Sequence, residues 1–246
     1  MKCELKSIYK RFSVPGRSDI TALKNVSIEF PIGSFTVVLG KSGCGKTTML
    51  RLMAGLAPPS SGEIVMKGGH SVGVVFQEPR LMPWLSVRKN VELVLDKTSE
   101  NTDRIEEILK QVGLSYFENA MPSQLSGGMS QRVALARALA YEPEILLMDE
   151  PFGALDYFTR RKLQQDLALL VEKRGLTVVL VTHDVEEAIF LASRIVVMGK
   201  GRILSVMEDV NSSSMNLQER ETLKAGILAS LDDDGGSSRS TLSKGA

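Results

Sequence analysis

Gly40-Lys41-Ser42-Gly43-Cys44-Gly45-Lys46-Thr47 is the stretch that decides the fold of this 246-residue chain. Its spacing, a glycine, four residues and then Gly-Lys-Thr, is that of a phosphate-binding loop. The apolar run Ser34–Leu39 before it predicts a buried strand, and the run Thr48–Ala54 after it predicts a helix. A strand, a glycine loop and a helix in this order are the context that the motif requires.

The residue types of this loop point to nucleotide binding. Glycines let backbone N–H groups converge on an anion, and the N-terminus of the following helix adds partial positive charge. Lys46 can reach the β- and γ-phosphates, and the Thr47 hydroxyl can hold Mg²⁺. The alternative, a plain glycine-rich turn, does not explain the flanking strand and helix. The residues expected to hold the nucleotide here are Gly40, Lys41, Ser42, Gly43, Cys44, Gly45, Lys46, Thr47 and Thr48.

Bulk composition limits the class of protein. With 43% hydrophobic residues the chain can bury a core, and its mixed charges sum to +1. That balance gives no sign of nucleic acid or an anionic membrane as partner. The two cysteines, Cys3 and Cys44, lack metal-type spacing and indicate a reducing compartment. Cys44 fills a neutral position in the loop or has a redox role.

The sequence contains no run of 18 apolar residues and no apolar signal region at its start. We therefore expect a soluble, cytoplasmic protein, unless a partner holds it at a membrane.

Strand and helix patterns predict an α/β fold. Alternating residues before the phosphate loop predict an antiparallel β layer, and the helical period from about Ser86 to Ala140 predicts an inserted helical subdomain. Elsewhere helices alternate with apolar strands, which is typical of a mostly parallel sheet with flanking helices. The predicted strands are 3–9, 26–30, 34–39, 63–66, 72–76, 145–148 and 177–182. The predicted helices are 48–54, 104–112, 131–140, 158–174 and 216–231.

These segments predict one domain over residues 1–231. Its catalytic core comprises about 1–84 and 141–210, and the helical subdomain comprises about 85–140. Residues 232–246 are rich in Asp, Gly and Ser, and we expect them to be a disordered tail.

Two acids follow the apolar strand Ile145–Met148. Buried carboxylates are costly unless a cation meets them, and the carboxyl ends of parallel strands open onto the ligand crevice. Asp149 is therefore a candidate to hold Mg²⁺, directly or through water. Neighbouring side chains diverge at a strand end, so Glu150 is a candidate to address the water that attacks the γ-phosphate. The alternative is an ordinary acid pair at a strand-to-turn junction.

Ser126, Gly127 and Gly128 precede a predicted helix. One interpretation is that Ser126 caps the helix and the glycines make a turn. The other is that a hydroxyl, bare amides and a helix N-terminus form a second anion site. Because the chain already has a phosphate loop, a second phosphate site suggests a second copy, facing the first across a two-fold axis.

An ordered set of motifs, spread over about Cys3 to Met207, resembles that of the ATP-binding cassette (ABC) ATPases. In chain order the motifs are the phosphate loop, Gln77, Leu125–Gln131, Asp149-Glu150, Ala154–Asp156 and His183. The resemblance implies a P-loop NTPase core that hydrolyses ATP with Mg²⁺ as a head-to-tail dimer.

Several roles within one chain are implied by this resemblance. Gln77 resembles the glutamine that touches Mg²⁺ and links the nucleotide to a transmembrane partner. His183 resembles the switch histidine on the γ-phosphate, and it is expected to act in catalysis with Lys46, Glu150 and Gln77. Phe12 resembles the aromatic that stacks on adenine. Considered alone, Gln77 could be a surface amide, His183 a structural histidine and Phe12 a core residue.

Other roles concern the partner copy. Ser126, Gly127 and Gly128 resemble the segment that clasps ATP in trans, and Asp156 resembles the aspartate at the dimer seam.

The segment Phe76–Trp84 narrows the resemblance to importers for nitrate, sulfonates, taurine and related small solutes. The segment Pro151–Asp156 also resembles importer ATPases. Two features depart from the family. The segment between the phosphate-loop helix and Gln77 is shorter than expected, and the part past Met207 is too short for a regulatory domain. The second feature argues against sugar-type importers with extra domains.

We therefore expect the ATPase subunit of an ABC importer, peripheral to the cytoplasmic face of the cell membrane. Its expected partners are a second copy, two permease subunits and, indirectly, a solute-binding protein, but no nucleic acid. Trp84 either serves the permease contact or anchors packing within the domain. The alternatives are an exporter ATPase, a soluble ABC ATPase acting on nucleic acid or ribosomes, and a P-loop small-molecule kinase. A near-neutral charge argues against nucleic acid, and the Ser126–Gly128 segment argues against the kinase.

Overall fold

The computed structural model describes residues 2–13, 15–16, 18–66, 71–95, 101–210 and 214–232. The chain divides into two compact units, one drawn from Met1–Gly69 and Thr177–Ala246 and the other from His70–Leu176. The predicted tail lies outside the described residues, apart from Asp232. The predicted division into a core and a helical subdomain stays a prediction.

The strands and helices alternate along most of the chain. The strands are β1 (Lys2–Phe12), β2 (Ile20–Pro31), β3 (Phe35–Gly40), β4 (Ser61–Met66), β5 (Val72–Val75), β6 (Ile145–Asp149), β7 (Thr177–Thr182), β8 (Arg194–Gly199) and β9 (Arg202–Met207). The helices are α1 (Lys46–Met53), α2 (Val87–Glu92), α3 (Asn101–Gln111), α4 (Gly127–Ala140), α5 (Tyr157–Arg174), α6 (Val185–Leu191) and α7 (Leu217–Asp232). None of these helices is both long and apolar enough to cross a membrane.

The first unit is built around the buried strand β3. It runs parallel to β7 on one side and to β8 on the other, and β9 pairs antiparallel with β8. Every residue of β3 and β7 is buried. Strands covered on both faces read as continuous apolar runs, which is why the sequence predicted these two with nearly correct bounds.

The antiparallel layer of the first unit is also confirmed. Its strands have the order β2-β1-β4, and both pairings are antiparallel. Cys3, Leu5 and Ile8 on β1 are fully buried. Burial raises the pKa of the Cys3 thiol to about 11, so Cys3 is a protonated core residue at neutral pH.

Among its described residues, the second unit joins the parallel strands β5 and β6 to the α-helices α2, α3, α4 and α5. β5 pairs with β6 in the register Val75 to Met148. On α3 and just after it, the predicted apolar face Ile105, Ile108, Leu109 and Val112 is buried. Together with the sheets of the first unit, this confirms the predicted α/β class with a helical segment between strands.

The structure moves three helix starts by two or more residues and adds elements that the sequence did not predict. Helix α3 begins at Asn101 rather than Arg104. The helix after the phosphate loop begins at Lys46 rather than Thr48, because Gly45 at a φ of 111° ends the loop and caps the helix. Helix α4 begins at Gly127 rather than Gln131. Helix α6 and strands β8 and β9 were not predicted, since short apolar runs suit a helix or a strand equally.

Candidate functional site

One edge of the first unit gathers the phosphate loop and His183. In the parallel pair of β3 and β7, Leu39 lies opposite Thr182. The loop starts at Gly40 and His183 follows Thr182, so both leave the sheet at its carboxyl edge. This is the edge at which open α/β sheets bind ligands.

Lys46 is held inside the phosphate loop. Its side chain is only 4% exposed, and Nζ donates to the carbonyl oxygens of Gly40 at 2.8 Å and Lys41 at 3.2 Å. The loop is closed by a hydrogen bond from the Cys44 N–H to the Lys41 carbonyl at 3.2 Å. These contacts fix the ammonium group at the start of α1, where the helix adds partial positive charge.

The phosphate loop is closely packed at Gly40 and Gly45 and has open space beside Gly43. A Cβ built on Gly45 would lie 2.6 Å from the Ala22 carbonyl oxygen, and one on Gly40 would lie 2.6 Å from Cys44 Sγ. Nothing lies within 4 Å of a Cβ built on Gly43. A glycine-rich loop with open space beside Gly43 and a helix N-terminus behind it suits a phosphate group. The Cys44 side chain is buried beside Gly40, which fits its interpretation as a packing residue.

His183 is positioned by a helix cap that the sequence analysis overlooked. The Asp184 carboxylate accepts hydrogen bonds from the N–H groups of Glu186 at 2.9 Å and Glu187 at 3.2 Å, and its own N–H donates to Thr182 Oγ1 at 3.1 Å. His183 itself is exposed. An aspartate followed by acids in the first turn is a helix-start signal that could have revealed α6.

The second unit gathers Gln77, Asp149 and Glu150 at the carboxyl ends of β5 and β6. Because Val75 lies opposite Met148, Gln77 and Glu150 each stand two residues beyond the paired positions. A Cβ built on Gly153, in the turn after Glu150, would lie 3.7 Å from Gln77 Nε2. Asp149 is the last residue of β6 and is buried. The structure thus brings these three predicted residues together.

Glu150 has a backbone conformation that the sequence did not suggest. Its φ is 43°, in the left-handed region that non-glycine residues rarely adopt. Its carbonyl oxygen accepts a hydrogen bond from the Gly153 N–H at 3.2 Å, which closes a turn directly after β6. Strain of this kind is concentrated at functional sites.

The segment Ser126–Gly128 forms the first turn of α4. Ser126 Oγ accepts a hydrogen bond from the Met129 N–H at 3.2 Å, so Ser126 is the predicted N-cap. The glycines, however, are helical and do not make a turn. The segment therefore combines a hydroxyl with the amides of a helix start, the combination that binds anions.

Asp156 caps the neighbouring helix α5. Its Oδ1 accepts hydrogen bonds from the N–H groups of Phe158 and Thr159, each at 3.1 Å. The pKa of the Asp156 carboxyl is lowered, first by the hydrogen bond from the Thr159 side chain and then by these backbone donors. Asp156 is therefore a carboxylate at neutral pH.

Helix α4 also holds the loop that follows β5. Gln131 Nε2 donates to the Phe76 carbonyl at 3.1 Å, and the Arg137 guanidinium donates to the carbonyls of Pro79 and Arg80. Burial lowers the pKa of Arg137. Arg137 was not predicted from the sequence, because its partners lie 57 and 58 residues away and no local pattern marks such a contact.

Trp84 is presented to solvent on a fixed loop. Asn90 is fully buried, accepts from the Met82 N–H at 2.8 Å, and donates from Nδ2 to the Leu85 carbonyl at 2.9 Å. Trp84 is 71% exposed, so its interpretation as a packing anchor is wrong. Phe12 is 43% exposed, which likewise excludes a core role, and Lys10 Nζ lies 5.2 Å from its ring centroid. Stacking of Phe12 on adenine stays a prediction.

The residues predicted to hold a metal carry oxygen donors, the ligand type that Mg²⁺ prefers. Within the described part of the chain, no group of three or more His, Cys, Asp or Glu residues could hold a metal ion. Mg²⁺ keeps several waters and binds through one or two carboxylates and substrate phosphates. Thr47 in the first unit, and Gln77 and Asp149 in the second, each carry an oxygen donor of that kind, and their joint role in holding Mg²⁺ stays a prediction.

The amino-acid sequence is similar to those of known ATP-binding proteins of transporters. The family model described as ABC transporter matches residues 23–153. The aliphatic sulfonates import ATP-binding protein SsuB 1 of Mesorhizobium japonicum is 48% identical over 210 residues, which are 82% of this chain and 77% of that protein. The nitrate import ATP-binding protein NrtC of Synechococcus elongatus is 45% identical over 206 residues, which are 79% of this chain but 31% of NrtC.

A solved structure agrees with these matches. It is described as a dimeric, post-hydrolysis state of the ATP-binding cassette MJ0796 bound to ADP and Pi. The TM-score is 0.76 at 37% identity, and the match covers 85% of this chain and 98% of that chain. The P-loop NTPase fold is therefore confirmed, and the chain belongs to the ABC transporter family as an ATP-binding cassette.

Proposed function

We propose that the chain is the ATP-hydrolysing subunit of an ABC importer and works as a head-to-tail homodimer. The observation that carries the proposal is the register of β3 and β7, which sets the phosphate loop and His183 at one sheet edge. The import proteins among its relatives support uptake of a small anion such as nitrate or a sulfonate.

Within one chain, the phosphate loop holds the nucleotide and the acids serve the reaction. Lys46 and backbone amides of the loop bind the β- and γ-phosphates, and His183 contacts the γ-phosphate. Glu150 positions or polarises the attacking water. Mg²⁺ held by Thr47, Gln77 and Asp149 would neutralise charge on the phosphates.

Each nucleotide is shared between two copies. Ser126, Gly127 and Gly128 form an anion site at the start of α4 and close over the partner copy's γ-phosphate, while Asp156 lies at the seam. Hydrolysis removes the contacts to the γ-phosphate and so favours reopening of the dimer. That opening and closing is the movement that drives transport.

The surface around Trp84 passes this movement to two permease subunits. Its loop is fixed by Asn90 and, through Pro79 and Arg80, by Arg137 on α4. The Ser126–Gly128 segment begins the same helix, α4. A movement of this segment is therefore transmitted through α4 to the loop that carries Trp84. The proposed function includes a position at the cytoplasmic face of the membrane, with a solute-binding protein as an indirect partner and no nucleic acid.

Mixing two inactive variants tests the shared site. Lys46→Ala removes the phosphate contact of one copy, and Ser126→Arg blocks the clasp of the other. A mixed dimer retains one intact site, so an equal mixture should recover up to about a quarter of the original ATPase activity. Ser126→Arg should bind ATP as a monomer with unchanged affinity. A mixture as inactive as each variant alone would contradict the proposal.

A further inference from the structure

Thr159, in the first turn of α5, contacts two segments that the proposed function places at the shared nucleotide. Its N–H donates to Asp156 Oδ1 at 3.1 Å, and its side chain also hydrogen-bonds the Asp156 carboxylate. On the other side of Thr159, its Cγ2 atom faces Gly128, and a Cβ built on Gly128 would lie 2.5 Å from this atom. One side chain thus meets both the Asp156 loop and the start of α4.

The methyl group of Thr159 occupies the space that a side chain at residue 128 would need. Gly128 is buried, and the next nearest atoms to the built Cβ, Leu155 Cδ2 and Thr159 Cβ, are 3.9 Å away. Contact between this methyl group and the Gly128 backbone therefore fixes how closely the first turn of α4 approaches α5. That turn carries the Ser126 hydroxyl and the amides of the anion site.

A role in capping α5 alone does not require threonine. The hydroxyl and the N–H are the groups that satisfy Asp156, and serine would supply both. The added methyl group makes the side chain β-branched, which restricts χ1 and fixes the hydroxyl and methyl directions relative to each other. A displacement of Asp156 is therefore transmitted to Gly128.

We propose that Thr159 is a positioning residue that couples the Asp156 loop to the Ser126–Gly128 segment. Its hydroxyl positions the Asp156 loop, and its methyl group positions the Ser126–Gly128 segment. The inference rests on the proposed function, in which both segments face the partner copy's nucleotide. Misplacement of a binding group by about 1 Å can cost 10²-fold in rate, so a single methyl group is enough to matter.

Two near-isosteric variants separate the two contacts. Thr159→Ser keeps the hydroxyl and loses the methyl group, whereas Thr159→Val keeps a methyl group and loses the hydroxyl. We expect each to lower kcat about tenfold or more while KM for ATP and the ATP affinity of the monomer stay within about twofold. In a Glu150→Gln background, ATP-dependent dimerisation should weaken about tenfold in both. Thr222→Ser, which removes a methyl group from an exposed threonine on α7, is the matched control.

A double-mutant cycle tests the methyl contact without any nucleotide. Gly128→Ala should lower the urea midpoint of unfolding clearly in the unaltered chain, because the new Cβ meets Thr159 Cγ2. In the Thr159→Ser background that loss should largely vanish, since only contacts of 3.9 Å remain. An equal fall of the urea midpoint in both backgrounds would show that the Thr159 methyl group does not contact residue 128.

The two proposals fail in different ways. If Glu150→Gln alone forms no dimer with ATP, the proposed function fails, and the urea cycle still decides whether Thr159 and Gly128 are in contact. If Glu150→Gln dimerises and both Thr159 variants keep normal kcat and dimerisation, the positioning role is overturned while the proposed function stands.

Discussion

The conformation of Gly45 decides whether the phosphate loop can form. Its φ of 111° is accessible to glycine, and the Ala22 carbonyl leaves no room for a side chain. The motif spacing in the sequence predicted this glycine correctly. It could not predict that Glu150, two residues beyond a paired strand position, also has a positive φ, because glutamate has no preference for that region.

Gly45→Ala should destabilise the chain by about 2–4 kcal/mol, through backbone strain and overlap with Ala22, and should abolish ATP binding. Gly55→Ala is the matched control, because Gly55 has a φ of 69° with nothing within 4 Å of a built Cβ. It should cost only the strain, about 1–2 kcal/mol, and retain ATP binding. Urea unfolding and equilibrium ATP titration measure both effects. Equal losses for the two variants would show that the Ala22 contact is unimportant.

Glu150→Gln should slow hydrolysis roughly 10²–10⁴-fold, because the amide cannot accept a proton from water. ATP binding should persist, since the loop around Lys46 is unchanged. Gel filtration with ATP and Mg²⁺ should then show a stable dimer, and steady-state ATPase assays should show the lost rate. Normal ATP hydrolysis by this variant would contradict the proposed role of Glu150 in positioning or polarising the attacking water.

At the scale of elements, buried polar contacts position the loops around the candidate site. Asn90 on α2 is the clearest case, because its Nδ2 lies 2.9–3.2 Å from the carbonyl oxygens of Met82, Leu85 and Ser86. These contacts fix the backbone on both sides of Trp84. A buried side chain that satisfies several backbone groups is costly to remove.

Asn90→Ala should lower the free energy of unfolding by about 2–4 kcal/mol and release the Trp84 loop. The basal ATPase rate of the isolated subunit should change little, while transport by the assembled importer should fall. Urea unfolding, limited proteolysis of the loop and uptake assays measure these effects. The control is Lys89→Ala on the exposed side of the same helix. Normal transport with Asn90→Ala would contradict a coupling role for this loop.

Elements that carry a strong pattern were predicted, and those defined by tertiary contact were not. β3 and β7 are fully buried on both faces, so their apolar runs were unmistakable. Helix α4 was predicted four residues late, because two glycines normally disfavour a helix. Packing against Thr159 explains the second of them, Gly128. Arg137 was missed because its partners are distant in sequence. Motif spacing located the phosphate loop between β3 and α1, whereas the roles of the predicted site residues stay predictions.

At the scale of the whole molecule, the predicted site residues are distributed over two units. The phosphate loop and His183 belong to the first, and Gln77, Glu150 and the Ser126–Gly128 segment belong to the second. The proposed sharing of each nucleotide between two copies would explain why the chain carries both a phosphate loop and the Ser126–Gly128 segment. This sharing is the claim on which the proposed mechanism depends.

The ATPase rate per chain, measured over a wide range of protein concentration, tests that claim most directly. If two copies share each nucleotide, the rate per chain should rise with concentration and level off once the dimer is formed. It should approach zero at high dilution, while ATP binding to the monomer persists. A rate per chain that stays constant down to dilutions at which only monomers are detected would contradict the account.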